Sequence, residues 1–410
     1  MYLRLLSPYL FFFCWIVLSI FPFIYKSNYI YEPLLGYFTI TALYYSYHSL
    51  TKYVLPIYFK ALLGLVFFLS IYGLALVLVG DDVFWMHTGQ YVRKYLYLLW
   101  LIPAMLSVIP VYVFTCRGVL DEKKMKILFF VFFVISIYAF YGGLEQEMQH
   151  AALMHLDQEE FAVTNVYSFL SLLPLVVLFK ERRILQFILL GIMLVYFVIS
   201  AKRGAMILGG ITAVLLVFSM FRNETLWKKF CIVFFSIFFI GCIYVFFLHQ
   251  MESSFFFASK MERTLHGYAS GRDEYARTIL DYFNNHISLR QFLFGIGAQG
   301  TLSVNISFAH NDWLAILLEQ GLIGVIVYSF YWICFVYSWI KSKVDYDAFV
   351  VIGLLIVIGF GKSLVSMYYL PIAAEMMATS GYFAIALGYF LGKAFPQYDF
   401  EKAASLKDES

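Results

Sequence analysis

The chain has 410 residues, 62% hydrophobic and only 13% charged, with a mean hydropathy of +0.79. No water-soluble domain of this length needs so much apolar surface, which excludes a string of soluble domains and leaves one polytopic membrane domain over residues 1–410. The formal net charge of +3 gives no reason to expect a nucleic-acid partner, and in a membrane protein the placement of Lys and Arg tells more than their sum.

Met1-Tyr-Leu-Arg4 and the apolar run after it mimic a signal peptide, but no small-residue cleavage site follows. Phe21-Pro-Phe-Ile-Tyr-Lys26 fits the end of a retained first span better. Apolar runs then recur at approximately 8–25, 29–49, 56–79, 95–115, 127–142, 163–179, 184–201, 205–221, 230–248, 313–340, 347–369 and 374–392. That pattern predicts an all-α bundle of about twelve transmembrane helices. With the N-terminus in the cytoplasm, the inner loops collect Arg117, Lys123, Lys124, Lys126, Lys180, Arg182, Arg183, Arg222, Lys228, Lys229, Lys341 and Lys343. The tail adds Lys393, Lys402 and Lys407, so the positive-inside rule places both termini in the cytoplasm. The 143–162 segment, with Glu145, Glu147, Asp157, Glu159 and Glu160 and no Lys or Arg, falls outside. His150 and His155 within it are five residues apart, a spacing that does not put two metal ligands on one helix face. The five cysteines lie in or at the ends of spans, which predicts neither a disulfide framework nor a thiolate metal site.

Cations on the outer side run against this distribution. Lys26 and Arg93-Lys94 are close enough to span ends to snorkel. Lys202-Arg203 and the cations of a large external loop, residues 249–312, are not so easily dismissed. A polar insertion of that size between spans usually carries function. In Ser200-Ala-Lys202-Arg203-Gly-Ala, a pair of snorkelling caps competes with a phosphate contact, in which Arg203 supplies a planar fork and Gly204 and Ala205 leave room for a ligand. Ser270-Gly-Arg272-Asp-Glu resembles a capping box. Tyr275, Ile279 and Tyr282 then repeat at helical spacing, so Arg272 is expected in the first turn of an amphipathic helix ending near Asn284-Asn285-His286. An Arg at a helix N-terminus suits an anion; a solvated Arg paired with Asp273 or Glu274 is the plainer alternative. Gly295-Ile-Gly297-Ala-Gln-Gly300 has the letters of a dinucleotide fingerprint but no βαβ context, and is read as a turn folding the loop back on the membrane. His310-Asn311-Asp312 precedes a helix carrying Leu314, Leu317 and Gly321, and extending that helix backwards puts His310 on its apolar face. Its place at the membrane boundary beside a polar pair favours a general base over a structural histidine, with Asn311 or Asp312 to orient it and Glu319 on the far side of the helix.

Taken in order, Ser200-Ala-Lys-Arg203-Gly-Ala, Ser270-Gly-Arg272, Phe294-Gly-Ile-Gly297 and His310-Asn-Asp-x-Leu-x-x-Leu-x-Glu-x-Gly-x-x-Gly324 resemble the O-antigen ligase and repeat-unit polymerase superfamily of bacterial integral-membrane glycosyltransferases. The resemblance covers roughly residues 195–325 and implies a GT-C-like enzyme of the inner membrane, inverting, with no metal and no cofactor. The implied substrates are glycans on undecaprenyl diphosphate, donor and acceptor, used on the periplasmic face to build O-antigen or capsule. The implied partners are the chain-length regulator and flippase of the same pathway, together with membrane lipid. By motif, His310 is the implied base, and Arg203 and Arg272 the diphosphate ligands with Lys202 sharing that task. Asn311 and Asp312 support them. The second and third motifs look more like polymerases than ligases. A lipid-linked saccharide flippase is the alternative of another class, disfavoured because transporters keep charges near the midplane. Here Lys60 and Lys362 are the basic residues well inside apolar runs.

Overall fold

The computed structural model describes residues 7–24, 31–52, 55–79, 83–85, 91–93, 104–154, 164–222, 224–266, 272–297, 300–304, 309–365 and 374–396. Apart from a short antiparallel ribbon pairing β1 (Val83–Trp85) with β2 (Tyr91–Arg93), these form helices. In order they are α1 (Pro8–Ile24), α2 (Tyr31–Lys52), α3 (Ile57–Val79), α4 (Val108–Cys116), α5 (Glu122–Met154), α6 (Tyr167–Leu172, flanked by 3₁₀ turns), α7 (Arg183–Ile199) and α8 (Arg203–Met220). There follow α9 (Leu226–Ser253), α10 (Phe255–Leu265), α11 (Arg272–Asn285), α12 (Leu289–Phe294), α13 (Gly300–Ser303), α14 (Asp312–Lys341), α15 (Tyr346–Val365) and α16 (Ala374–Ala394).

Six of these are long and apolar enough to cross a membrane by length and composition: stretches of α3, α5, α8, α9, α14 and α15. Shorter apolar helices cover Pro8–Ile20, Ala104–Cys116, Tyr167–Phe179 and Arg183–Ile199. The sequence expected the acidic outer segment to begin at residue 143. The candidate span within α5 ends at Glu145, while the helix itself runs on to Met154; the remainder of that segment, with His155, lies outside the described residues.

One hydrophobic cluster threads the bundle from Phe11 and Trp15 of α1 to Leu387 and Phe390 of α16. Aromatic rings do much of the filling. Tyr58 of α3 packs on Tyr331 and Phe335 of α14, with its backbone N–H donated to Ser338 Oγ at 3.2 Å. The outward faces are just as apolar: Phe230, Phe234, Ile237 and Tyr244 of α9 are all exposed. Such a surface is tolerable only where lipid replaces water.

The helix ends are chemically unlike. Where α8 ends and α15 begins, the expected inner-loop cations are held by carboxylates and rings. Lys180 pairs with Asp347 at 2.6 Å, Arg183 with Glu224 at 2.5 Å, and Arg222 stacks 4.1 Å above the Tyr346 ring. The other end, where α8 begins and α15 finishes, receives α10 to α13 and the histidine segment.

Candidate active site

The Ser200–Arg203 reversal between α7 and α8 is one turn of backbone. Ala201 takes a left-handed φ of 51°, and the Ser200 hydroxyl accepts the Lys202 N–H at 3.2 Å while donating to Phe197 C=O at 2.8 Å. That places Lys202 at the N-cap of α8 and Arg203 in its first turn, both half-buried. Beside it lies α10, capped by Ser254 and amphipathic enough to bury Phe257 and Met261 against Val198 and Ala201. Arg203 Nη1 donates to Thr264 Oγ1 of this helix at 2.9 Å. Gly204 does not leave room for a ligand, as its small size suggested. A Cβ there would lie 2.9 Å from the Tyr167 hydroxyl and 3.5 Å from Val365 Cγ2, so the space belongs to the protein. Ala205 is likewise buried.

Helix α11 spans the residues expected of it. Tyr275, Ile279 and Tyr282 line one face of a small second cluster with Ala309, Ala315 and Leu318. Ser270 and Gly271, the predicted capping residues, lie outside the described residues. Arg272 does not turn to Asp273 or Glu274: its guanidinium donates to the C=O of Val365, the last residue of α15. Asp273 faces Arg277 instead, at 4.0 Å on an exposed face.

The glycine turn answers to α14. Gly321 breaks that helix internally, with φ 68° and ψ −162°. The break opens a strip of backbone onto which residues 295–297 dock, Ile296 N–H to Leu318 C=O at 2.9 Å and Gly297 N–H to Glu319 C=O at 3.1 Å. The Glu319 carbonyl also accepts the Tyr72 hydroxyl from α3. Both glycines are obligatory here. A Cβ on Gly295 would fall 2.1 Å from the Glu319 carbonyl, and one on Gly321 2.5 Å from Gly295 N.

His310 is not part of α14, so the backward extension of the helix misplaces it. Asn311 is the N-cap, its side-chain oxygen accepting Leu314 N–H at 3.1 Å, and His310 sits before it at φ 48°. Ala201 and His310 are the left-handed non-glycine residues among those described. Strained backbone of this kind, at about 1–3 kcal/mol each, persists where the surroundings enforce it, often at functional sites. Asn311 and Asp312 have duties of their own. Asn311 Nδ2 donates to Leu364 C=O at 3.0 Å, and buried Asp312 accepts the Tyr328 hydroxyl at 3.3 Å.

These pieces converge. The charges of Arg272 and Lys202 both reach His310. Burial first, then those two cations, pull its imidazole from 6.5 to about 4. Such a histidine stays neutral at physiological pH and is able to accept a proton. Among the described residues no group of three or more His, Cys, Asp or Glu side chains is arranged to hold a metal ion.

Sequence reasoning missed the last turn of α15. Lys362 is buried, its Nζ 4.9 Å from the Tyr167 ring centroid, and its charge interacts with that of Asp312. Ser363 Oγ accepts the Trp313 indole N–H at 3.1 Å. Its one legible signal was a lysine inside an apolar run. Lys60, the other such lysine, is simply exposed.

The class is thus a polytopic helical membrane protein with cations and a histidine gathered at one end of its spans. Residues 188–329 match the family described as O-antigen ligase, which supports the O-antigen ligase and polymerase superfamily read from the motifs. The match runs from α7 into α14 and takes in Lys202, Arg203, Arg272, the glycine turn and His310. No curated protein matches the chain.

Proposed function

We propose that this protein polymerises carrier-lipid-linked oligosaccharide repeat units at the periplasmic face of the inner membrane, as an inverting, metal-independent glycosyltransferase within one membrane domain of about twelve spans. The family match carries the coarser statement, an O-antigen ligase or polymerase type of membrane glycosyltransferase. The observation that supports the mechanism is the gathering of Arg272, Arg203 and the histidine segment at the end of α15, where Arg272 and Asn311 bond the neighbouring carbonyls of Val365 and Leu364 and Val365 lies over Gly204.

In this reading Arg272, Arg203 and Lys202 bind the undecaprenyl diphosphate of the growing chain. The acceptor is a hydroxyl of a fresh repeat unit on its own carrier lipid. His310 takes the hydroxyl proton as the oxygen bonds to the anomeric carbon. The bond from that carbon to the diphosphate breaks, and the electron pair leaves with the phosphate oxygen. A diphosphate departs as an anion, so it calls for fixed cations rather than an acid. The base contributes about 10²- to 10⁴-fold in rate. Donor activation resides in the carrier lipid, which fits a face of the membrane without nucleotide sugars. The chain-length regulator and flippase of the same pathway are the expected partners.

Polymerase, ligase and flippase all bind saccharide on the same carrier, so the product left by a deletion strain decides among them. Loss of a polymerase leaves single units that still reach the surface, and this is the expected outcome, reversed by the wild-type gene but not by His310→Ala. Long chains stranded on the carrier identify a ligase with the same residues in the same roles. Single units confined to the cytoplasmic leaflet end the enzyme reading.

A further inference from the structure

Four consecutive residues at the end of α15 each meet a different part of the site. Lys362 is buried against the Tyr167 ring with its charge acting on that of Asp312, and Ser363 Oγ holds the Trp313 indole. The carbonyl of Leu364 accepts from Asn311, and that of Val365 from Arg272. The Val365 side chain also lies over Gly204, next to Arg203. The bonds from Asn311 and Trp313 bracket Asp312 and press it against this turn. Asp312 and Lys362 are 0% and 6% exposed. Either charge alone at such depth would be expensive, and the attraction between the two offsets part of that cost. Lys362 is shielded further by the face of Tyr167, whose hydroxyl closes the space above Gly204.

We propose that Lys362–Val365 is the positioning element of the site, and that the buried ammonium of Lys362, acting on the Asp312 carboxylate, fixes where His310 and Arg272 stand relative to one another. Lys362 touches neither substrate. It is a positioning residue outside the matched segment 188–329. Its work is to keep Asp312, and so the first turn of α14, pinned to α15. The left-handed backbone of His310 has its register set by the Asn311 cap immediately after it. Releasing Asp312 therefore frees the histidine to drift from its cations. This rests on the glycosyltransferase reading above for its kinetic arm only.

The test uses the full-length protein in nanodiscs with a carrier-lipid-linked oligosaccharide as donor. Lys362→Met is expected to lower kcat by roughly 10²-fold, the effect of a small misplacement, with KM for the donor within about twofold. Lys362→Arg keeps the charge and should stay within about tenfold of wild type. Asp312→Asn/Lys362→Met removes both charges and should recover about tenfold or more over Lys362→Met, because no charge is left buried alone. A raised KM at unchanged kcat would mean that Lys362 contacts the donor. A double variant as poor as Lys362→Met would mean that it acts apart from Asp312. Either overturns the proposal. Diethylpyrocarbonate labelling of His310, followed by mass spectrometry, needs no activity: it should quicken in Lys362→Met and return towards wild type in the double variant, and unchanged labelling also overturns it. If Lys362→Met fails to accumulate, Ser363→Ala carries both readouts. It should lower kcat by about tenfold and quicken His310 labelling, and wild-type values in both refute the positioning role. Wild-type protein without transfer activity would sink the proposed function, and labelling would still judge the positioning element.

Discussion

Gly295→Ala tests the docking of the external loop on α14 by a single methyl group. Gly295 has φ 76° and ψ −178°, a region open in practice only to glycine, and holding alanine there costs about 1–3 kcal/mol. The new Cβ would lie 2.1 Å from the carbonyl carbon and oxygen of Glu319 and 2.4 Å from Gln320 N, all backbone, so neither partner can swing away. The turn must lift. Lifting breaks the Ile296–Leu318 and Gly297–Glu319 hydrogen bonds, each worth about 0.5–1.5 kcal/mol. The docked turn should lose roughly 2–6 kcal/mol, which at 1.4 kcal/mol per decade means about thirtyfold or more in its opening equilibrium. Hydrogen exchange with mass spectrometry reads this directly, in peptides covering Leu293–Gly297. Their protection should fall by that factor while α3 and α15 keep theirs. The control is Gly241→Ala in α9, where an added Cβ meets nothing within 4 Å, and exchange at 293–297 should not change. Unaltered protection in Gly295→Ala would refute the docking. An even loss across the whole bundle would show that the turn is not a separate unit.

Arg272→Lys keeps the charge but loses the planar fork, and should cost roughly 10²-fold in kcat/KM at normal membrane expression; near-wild-type kinetics would remove Arg272 from the diphosphate site. Transfer should survive EDTA, and a strict divalent-ion requirement would redirect attention to Asp273, Glu274 and Asp281. In a cysteine-free variant, single cysteines near Glu159 and Arg277 should react with impermeant maleimide in spheroplasts, and one near Lys124 should not. Protection at 277 with labelling at 124 would invert the topology and remove the periplasmic site.

What the sequence made legible follows local rules. Helix α11 from Arg272 to Asn285 could be read because 3.6-residue periodicity is a property of a short segment. His310 was placed on the apolar face of α14 because periodicity carries no warning that a residue steps into left-handed backbone two positions before a helix. Gly321 stood in a recognised motif, yet its role as a break depends on a partner turn some twenty-five residues upstream that only folding brings near. The last turn of α15 was the least readable part. Two of its contacts use backbone carbonyls, at Leu364 and Val365, and a carbonyl has no letter in a sequence. Lys362 alone left a trace, as a charge where apolar residues were due. Gly204 was misread for a related reason: smallness signals close approach, but not what approaches.

The proposed phosphate-binding cations also weaken the base, and that couples donor binding to catalysis. Burial and then the charges of Arg272 and Lys202 hold His310 down at about 4 in the free protein. A base so weak is poorly matched to a sugar hydroxyl at neutral pH, since proton transfer is best served by a pKa near the working pH. If the proposed site holds the donor, its diphosphate would place negative charge against the same two cations and cancel their effect on the imidazole, leaving only the part due to burial. His310 should therefore become more basic once the donor is bound. The acid limb of kcat/KM reports the free protein and that of kcat the complex, so the kcat limb should lie at higher pH. A kcat limb at or below that of kcat/KM would refute the coupling. The same depression has a sign in stability. Between about pH 4 and 6.5 the unfolded chain binds the His310 proton and the native protein does not, so stability rises with pH across that window and falls on acidification. His310→Asn, which cannot titrate, should flatten that slope in thermal melts from pH 4 to 7, and an unchanged slope would mean that His310 is not the group responsible.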